Sequence, residues 1–170
     1  MPKVQPETFK IIRYLIRIVG GFSAAVLGAL VLLIVFDATR RYLFHEGSVA
    51  LQELEWHLFD VVIMLGIAYA MHRGAHVRVD IFYDRFSERT KHIVNLATML
   101  FFVLPVSALI IYVSFDFVMM SFSQMEASSD PGGLPYRYLV KALIPLAFAL
   151  LVLQALREVA NTWHEFKELK

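Results

Sequence analysis

The sequence contains no cysteine, and this absence removes several kinds of chemistry at once. Disulfide scaffolds, thiolate zinc sites, iron–sulfur clusters and cysteine nucleophiles all require a thiol. Charge is also scarce, because only 18% of the 170 residues are Asp, Glu, Lys or Arg, against about a quarter in an average soluble domain. The net charge of +1 gives no reason to expect a nucleic-acid partner.

What the sequence has in excess is apolar residues, which make up 58% of the chain and give a mean hydropathy of +0.60. Three runs with at most one charged residue each lie at 18–36, 93–116 and 138–156. At about 1.5 Å per residue in a helix, each is long enough to cross the hydrocarbon core of a bilayer. Pro105 lies near the middle of the second run and predicts a kink there.

The stretch at 50–72 is less regular, because its first half carries several titratable groups. It is either one long tilted helix or an interfacial helix that leads into a short re-entrant piece. The distribution of basic residues favours a full span: with four spans, twelve of the sixteen Lys and Arg residues fall on one side. Because basic residues concentrate on the cytoplasmic side, both termini are predicted to lie in the cytoplasm.

The predicted fold class is therefore an all-α integral membrane protein, N-in and C-in, with four transmembrane helices in a single domain, 1–170. A cytoplasmic lead-in (1–17), a loop (73–91) and a tail (157–170) complete the chain. Short interfacial amphipathic helices are expected near 8–17 and 80–89, and the tail is predicted to be a solvated helical extension.

Glu53, His57 and Asp60 are spaced to share one face of the second helix. Titratable groups within a span suggest a proton relay or a metal site. Alternatively, water, a loop or a partner protein satisfies them at the end of the helix. A di-iron bundle needs matching acid and Glu-x-x-His motifs on other helices, which the sequence lacks, so no metal is predicted.

Haem is a second possibility, because membrane anchors of redox enzymes hold haem between histidines. His57 and His72 lie on one predicted helix, and the other three spans contain no histidine. A haem-binding membrane anchor is the alternative function, and a proton-coupled exporter that uses Asp60 is a third hypothesis.

Two further patterns suggest contacts. Gly20, Ala24 and Gly28 recur every four residues. Small residues at this spacing let two helices approach closely in lipid, and the second helix can belong to this chain or to a partner. His76, Arg78 and Asp80 alternate with valines after the second span, where they could form an ion-paired clasp or a solvated loop.

The ordered motifs together resemble the small membrane subunit of tripartite ATP-independent periplasmic (TRAP) transporters. The residues that carry the resemblance are Arg41-Tyr-Leu-Phe44, Glu53-Leu54, Gly66, Gly74-Ala-His76-Val-Arg-Val-Asp80, Pro135 and Pro145. The loop ending in Gly-Gly-Leu-Pro135 is similar to a subset of that family. The acid-rich segment around Glu55 departs from the common pattern.

The resemblance implies a scaffold subunit, not an enzyme, that assembles in the bacterial inner membrane with a large elevator-type subunit. A periplasmic binding protein delivers a small organic acid, and a sodium gradient drives uptake. Sodium and substrate are expected to bind the large subunit, so no catalytic residue, substrate site or cofactor is predicted in this chain. The candidate partner-interface residues are Gly20, Ala24, Gly28, Glu53, Trp56, Asp60, His76, Arg78 and Asp80. The candidate contacts for the binding protein are His45, Glu46, Glu126 and Asp130.

Overall fold

A computed structural model of the protein describes residues 7–74 and 86–168, and the regular structure within them is helical. The helices are α1 (Glu7–Leu43), α2 (Val49–His72), α3 (Glu88–Thr98), α4 (Leu104–Ser123), α5 (Arg137–Lys141) and α6 (Leu143–Glu168). A π-helical segment, Met99–Val103, joins α3 to α4. Four helical stretches are long and apolar enough to cross a membrane. The predicted all-α fold with four spans is confirmed, whereas the side on which the termini lie stays a prediction.

α1 is longer than its apolar run because the residues before that run also form helix. No Pro or Gly interrupts residues 7–19, so the amphipathic lead-in expected at 8–17 forms the first turns of α1 and is not a separate helix. α2 begins at its N-cap Ser48, whose side chain accepts a hydrogen bond from the Leu51 N–H. It continues without a break to His72, so the alternative of an interfacial helix with a re-entrant piece is wrong.

Two prolines account for the irregular places in the other spans. Pro105 cannot donate a backbone hydrogen bond, and its ring would clash with a carbonyl of the preceding turn. The preceding turn is π-helical, with the Leu104 N–H bonded to the Met99 carbonyl. Pro145 likewise cannot donate to the carbonyl of Lys141, and the helix breaks at Ala142, between α5 and α6.

The spans form an open row in the order α1, α2, α6, α4. α1 packs chiefly against α2, and α6 packs against α2, α4 and, less extensively, α1. In the described part of the chain, α1 and α4 share no comparable contact. A row exposes more side-chain surface than a closed bundle, and only 11–22% of the most apolar window of each span is buried.

Two small apolar clusters fill the half of the molecule where α1 begins and α6 ends. The first joins α1, α2 and α6 through Ile16, Leu65, Ala68 and Leu150. The second joins α2, the π-helical segment and α6 through Met71, Met99 and Ala155. We call this half the termini end, and the opposite end, which carries residues 44–48 and 124–136, the loop end.

The tail differs from its prediction. α6 extends through the predicted tail to Glu168, but Arg157 and Thr162 are buried. The beginning of the tail is therefore packed against the other helices, so the prediction of a solvated extension is wrong for this part.

Candidate functional site

A network of polar side chains ties α2 to the loop and helix at the loop end. The Glu53 carboxylate accepts hydrogen bonds from the Ser128 hydroxyl, from the Leu134 N–H at 2.6 Å and from Arg137 Nη2 at 2.8 Å. We call these four residues the Glu53 network. Of the alternatives open for Glu53, satisfaction by a loop is the one that the structure shows.

The loop at 124–136 is held in shape by its own backbone. The Ser128 N–H bonds to the Leu134 carbonyl, and the Arg137 N–H bonds to the Glu126 carbonyl. Met125 and Tyr136 adopt left-handed conformations, with φ of 47° and 63°, which non-glycine residues adopt only where the surrounding structure enforces them. The backbone therefore holds the loop against Glu53.

Gly133 is required by the close approach of the loop to α2. A Cβ atom on Gly133 would lie 2.8 Å from Glu53 Oε2 and closer still to the Ser128 side chain. Both distances are shorter than a van der Waals contact allows. The glycine thus lets the Leu134 N–H reach the Glu53 carboxylate.

A second ion pair closes the same loop. Lys141 of α5 bonds to the Glu126 carboxylate, and its ammonium lies 4.1 Å from the centre of the Phe117 ring. The hydrogen bond and positive charge of Lys141 hold the pKa of Glu126 below its ordinary value. Glu126, a candidate contact for the binding protein, is therefore engaged within the chain.

A mixed polar cleft of about 300 Å³ opens beside the Glu53 network. His57, Trp56 and Asp130 line it together with Glu53 and Arg137. His57 thus faces the cleft at the loop end. In the described part of the chain, no three His, Asp or Glu side chains form a group that could hold a metal ion. The cleft offers donors and acceptors to a protein or water at the membrane surface.

An apolar groove lies between α1 and α2, and we call it the α1–α2 groove. Leu30, Ile34, Glu55, Trp56 and Phe59 line its volume of about 320 Å³. The Trp56 side chain is 68% exposed, yet one carboxylate oxygen of Glu55 is buried without a hydrogen-bond partner. A buried acceptor without a partner within the chain calls for a donor from outside it, and aromatic side chains are enriched in protein interfaces.

Asp37 and Arg41 of α1 belong to the same region. Asp37 is 1% exposed and bonds to Arg41 through one oxygen, while its other oxygen has no partner. The negative charge of Glu55 also acts on Arg41. Asp37 and Glu55 thus both act on the Arg41 guanidinium, and each keeps one buried oxygen without a hydrogen-bond partner.

The row of small residues on α1 divides between two environments. Gly20 is buried, and a Cβ atom there would lie 3.0 Å from Tyr69 Cβ and closer still to its ring. Ala24 and Gly28 are exposed, and a Cβ on Gly28 would meet no atom within 4 Å. Gly20 therefore serves packing within the chain, and only Ala24 and Gly28 remain available to a partner.

The other candidate residues lie apart from these sites or outside the described residues. Asp60 is half-buried on α2, and His45 and Glu46 are exposed in the loop after α1, where Glu46 bonds to Arg40 at 2.7 Å. His76, Arg78 and Asp80, with the clasp predicted for them, lie outside the described residues.

Sequence reasoning missed the partners of these candidates. Ser128 and Arg137 are 75 and 84 residues from Glu53 along the chain, so no local pattern pairs them. Asp37 could have been found, because it continues the heptad of Ile16, Ser23 and Leu30, all of which are buried.

Comparison with known proteins agrees with this description. Residues 30–165 match the family model described as "Tripartite ATP-independent periplasmic transporters, DctQ component". The chain is also 27% identical over 146 residues to the "Isethionate TRAP transporter permease protein DctMQ" of Oleidesulfovibrio alaskensis. That match covers 82% of this chain but only 22% of the relative, so the chain spans about a fifth of that protein's length. The resemblance seen in the sequence is confirmed, and the chain belongs to the DctQ component family of the tripartite ATP-independent periplasmic transporters.

Proposed function

We propose that the chain is the scaffold subunit of a sodium-coupled importer of a small organic acid in the bacterial inner membrane. In this proposal it assembles with a large elevator-type membrane subunit and a periplasmic substrate-binding protein, and it catalyses no reaction. Family membership supports the transport role. The relative named an isethionate permease supports a small organic anion as the substrate class.

The observation that carries the proposal is the α1–α2 groove. Its apolar lining, the exposed Trp56 and the unsatisfied oxygen of Glu55 together fit a protein partner better than lipid. Lipid tails could cover the apolar side chains, but they offer no donor to a buried carboxylate. A helix of the large subunit that brings a hydrogen-bond donor to Glu55 satisfies both features.

The internal bonding of the Glu53 network supports a structural role rather than an ion pathway. Glu53 is engaged by three donors and Glu126 by Lys141. The proposal therefore places the sodium and substrate sites in the large subunit. If the termini are cytoplasmic, as the basic residues predict, the exposed His45, Glu46 and Asp130 are offered to the binding protein in the periplasm.

Co-purification tests the proposal directly. The tagged chain, co-expressed with the large membrane protein encoded beside it, is expected to retain that protein through detergent extraction and gel filtration. Trp56→Ala is expected to lower the retained amount severalfold, because exposed aromatic anchors dominate interface energies. The matched control is Tyr112→Ala, since Tyr112 is a 76% exposed aromatic residue on α4, at the other end of the row.

Two results would count against the proposal. A co-expressed wild-type chain that elutes from gel filtration without the large membrane protein argues against a scaffold role, and equal losses with Trp56→Ala and Tyr112→Ala argue against the α1–α2 groove. The visible spectrum of the same sample tests the haem-anchor alternative. Bound haem would give a Soret band, and a spectrum without that band removes this alternative. Nδ1 of His72 accepts a hydrogen bond from Arg157, so the proton of the neutral ring lies on Nε2, the nitrogen that would have to bind a haem iron.

A further inference from the structure

The termini end contains a buried arginine whose surroundings are rich in donors. Arg157 of α6 is only 6% exposed. Its Nη1 group donates to His72 Nδ1 at 3.0 Å and to Gln154 Oε1 at 3.4 Å, while its Nε group has no partner. Gln154 is 0% exposed, and its own Nε2 group also lacks a partner. Both unsatisfied atoms carry N–H groups, so what is missing is an acceptor.

Arg157 has other basic side chains in its surroundings. Arg13 and Arg17 of α1 both act electrostatically on Arg157 and on His72. The one carboxylate among the described residues that acts on Arg157 is its neighbour Glu158. Even with Glu158 nearby, the Nε group of this buried guanidinium has no acceptor, and an unsatisfied buried N–H group is costly, so the site calls for a further acceptor, ideally one with a negative charge. We call Arg13, Arg17, His72, Gln154 and Arg157 the basic cluster.

The basic cluster lies at the level where the apolar runs end. Arg17 directly precedes the uncharged run at 18–36, and Arg157 directly follows the run at 138–156. His72 is the last residue of α2. Three helices thus bring their donors to one boundary of the apolar slab, which is the depth at which lipid phosphates lie.

We propose that the basic cluster binds the phosphate of an anionic phospholipid. Arg13 is half-buried and Arg17 is exposed, so their guanidinium groups can contact a headgroup directly, while Arg157 supplies positive charge from beneath. Phosphate oxygens accept several charge-assisted hydrogen bonds at once. The inference is independent of the transport role, because it requires only the three helices and a membrane.

Thermal unfolding of the purified full chain in a neutral detergent tests this proposal. Dioctanoyl phosphatidylglycerol is expected to raise the Tm by several degrees in a saturable manner, because a ligand that binds only the folded state stabilises it. Dioctanoylglycerol, which has the same tails but no phosphate, is expected to leave the Tm unchanged. Equal stabilisation by inorganic phosphate would assign the site to a soluble anion and overturn the lipid proposal.

Variants connect the response to the basic cluster. The double variant Arg13→Gln and Arg17→Gln is expected to raise the half-saturating lipid concentration by about tenfold or more, since charge-assisted hydrogen bonds are lost. Arg40→Gln is the control, because Arg40 lies on the same helix at the loop end and bonds to Glu46. An equal loss with Arg40→Gln would mean nonspecific attraction and would overturn the proposal.

Arg157→Leu separates ligand binding from a merely structural role. Replacing the guanidinium with an apolar side chain removes its hydrogen bonds to His72 and Gln154 and is expected to abolish the lipid-dependent shift in Tm, whatever its effect on the lipid-free Tm. A lower lipid-free Tm with a full lipid response contradicts the proposal. Loss of the lipid-dependent Tm shift in a complex of the wild-type chain with the large subunit would also contradict the proposal. A carboxylate of the partner would then fill the site.

Discussion

Gly133 is the residue on which the loop end depends most directly. Gly133→Ala is expected to lower the free energy of unfolding by about 1–3 kcal/mol, the usual cost of overpacking a filled site. The cause is the added methyl group, which would overlap the Ser128 side chain and Glu53 Oε2. Thermal unfolding in detergent, followed by tryptophan fluorescence, measures the change.

Gly47→Ala provides the control for this prediction. Gly47 also lies in a connection at the loop end, but a Cβ atom there would meet nothing within 4 Å. The Tm of the Gly47→Ala variant is expected to stay at the wild-type value or rise slightly, because alanine reduces the conformational freedom of the unfolded chain. Equal destabilisation by the two substitutions would mean that the packing against Glu53 is unimportant.

Glu126 gives the loop end a pH dependence whose sign follows from its lowered pKa. A carboxyl group with a folded pKa below its unfolded value stabilises the protein fully above the unfolded pKa, and this contribution is lost as the pH falls through the folded pKa. The expected difference in Tm between wild type and Glu126→Gln is therefore largest at neutral pH and shrinks below about pH 4. Unfolding curves from pH 7 to pH 3 measure it, and a difference that grows on acidification contradicts the assignment.

At the scale of single residues, the sequence predicted where a polar residue lies but not what it contacts. Glu53 was placed correctly on α2 by its helical spacing. Its partners Ser128 and Arg137 come from a loop and a helix more than seventy residues away. Only the folded chain brings them together, because hydrogen bonds between distant segments leave no periodic trace in the sequence.

At the scale of the helices, a spacing of seven residues decides which side chains are buried. α1 buries Ile16, Ser23, Leu30 and Asp37, and α4 buries Ser107, Ser114 and Ser121. A strict heptad keeps one stripe of a helix against an antiparallel or parallel neighbour. The four-residue spacing of Gly20, Ala24 and Gly28 drifts around the helix instead, which is why only Gly20 is buried.

The serine stripe of α4 is expected to set its distance from α6. Small side chains at buried positions let membrane helices approach closely, and α4 packs chiefly on α6. Ser114→Leu is expected to lower the free energy of unfolding by about 1–3 kcal/mol through overpacking. Val113→Leu, at the neighbouring exposed position, is expected to leave it unchanged, and thermal unfolding of both variants provides the comparison.

At the scale of the whole molecule, the number of spans was predictable and their arrangement was not. Apolar runs of about twenty residues each predict one span. The distribution of Lys and Arg between the two sides predicted that the second stretch also spans, despite its acidic groups. The order of the row depends on which faces meet. α6 buries Ala147, Leu150, Gln154 and Arg157 at alternating spacings of three and four residues, and this pattern marks a buried face without identifying the helices that cover it. The row leaves much apolar surface exposed, and in the proposed complex part of that surface is covered by the large subunit.

Substitutions at two glycines of α1 are expected to distinguish effects on the folding of the chain from effects on the assembly of the complex. Gly20→Ala is expected to destabilise the isolated chain by about 1–3 kcal/mol, because the methyl group would overlap Tyr69 of α2. Gly28→Leu has open space around it and is expected to leave the Tm of the isolated chain unchanged. If the exposed face of α1 meets the large subunit, Gly28→Leu blocks close approach, and both co-purification and uptake are lost.

The measurements are the Tm of each purified variant, the amount of large subunit retained, and uptake in cells that express the whole transporter. In complexes that still assemble, the dependence of uptake on sodium concentration is expected to match the wild type, because the proposal places the sodium sites in the large subunit. Normal uptake by Gly28→Leu with an intact complex would move the interface away from this face of α1. An altered sodium dependence would contradict the scaffold role itself, since a subunit that only supports the moving domain should change how much transporter assembles and not how it couples to the ion.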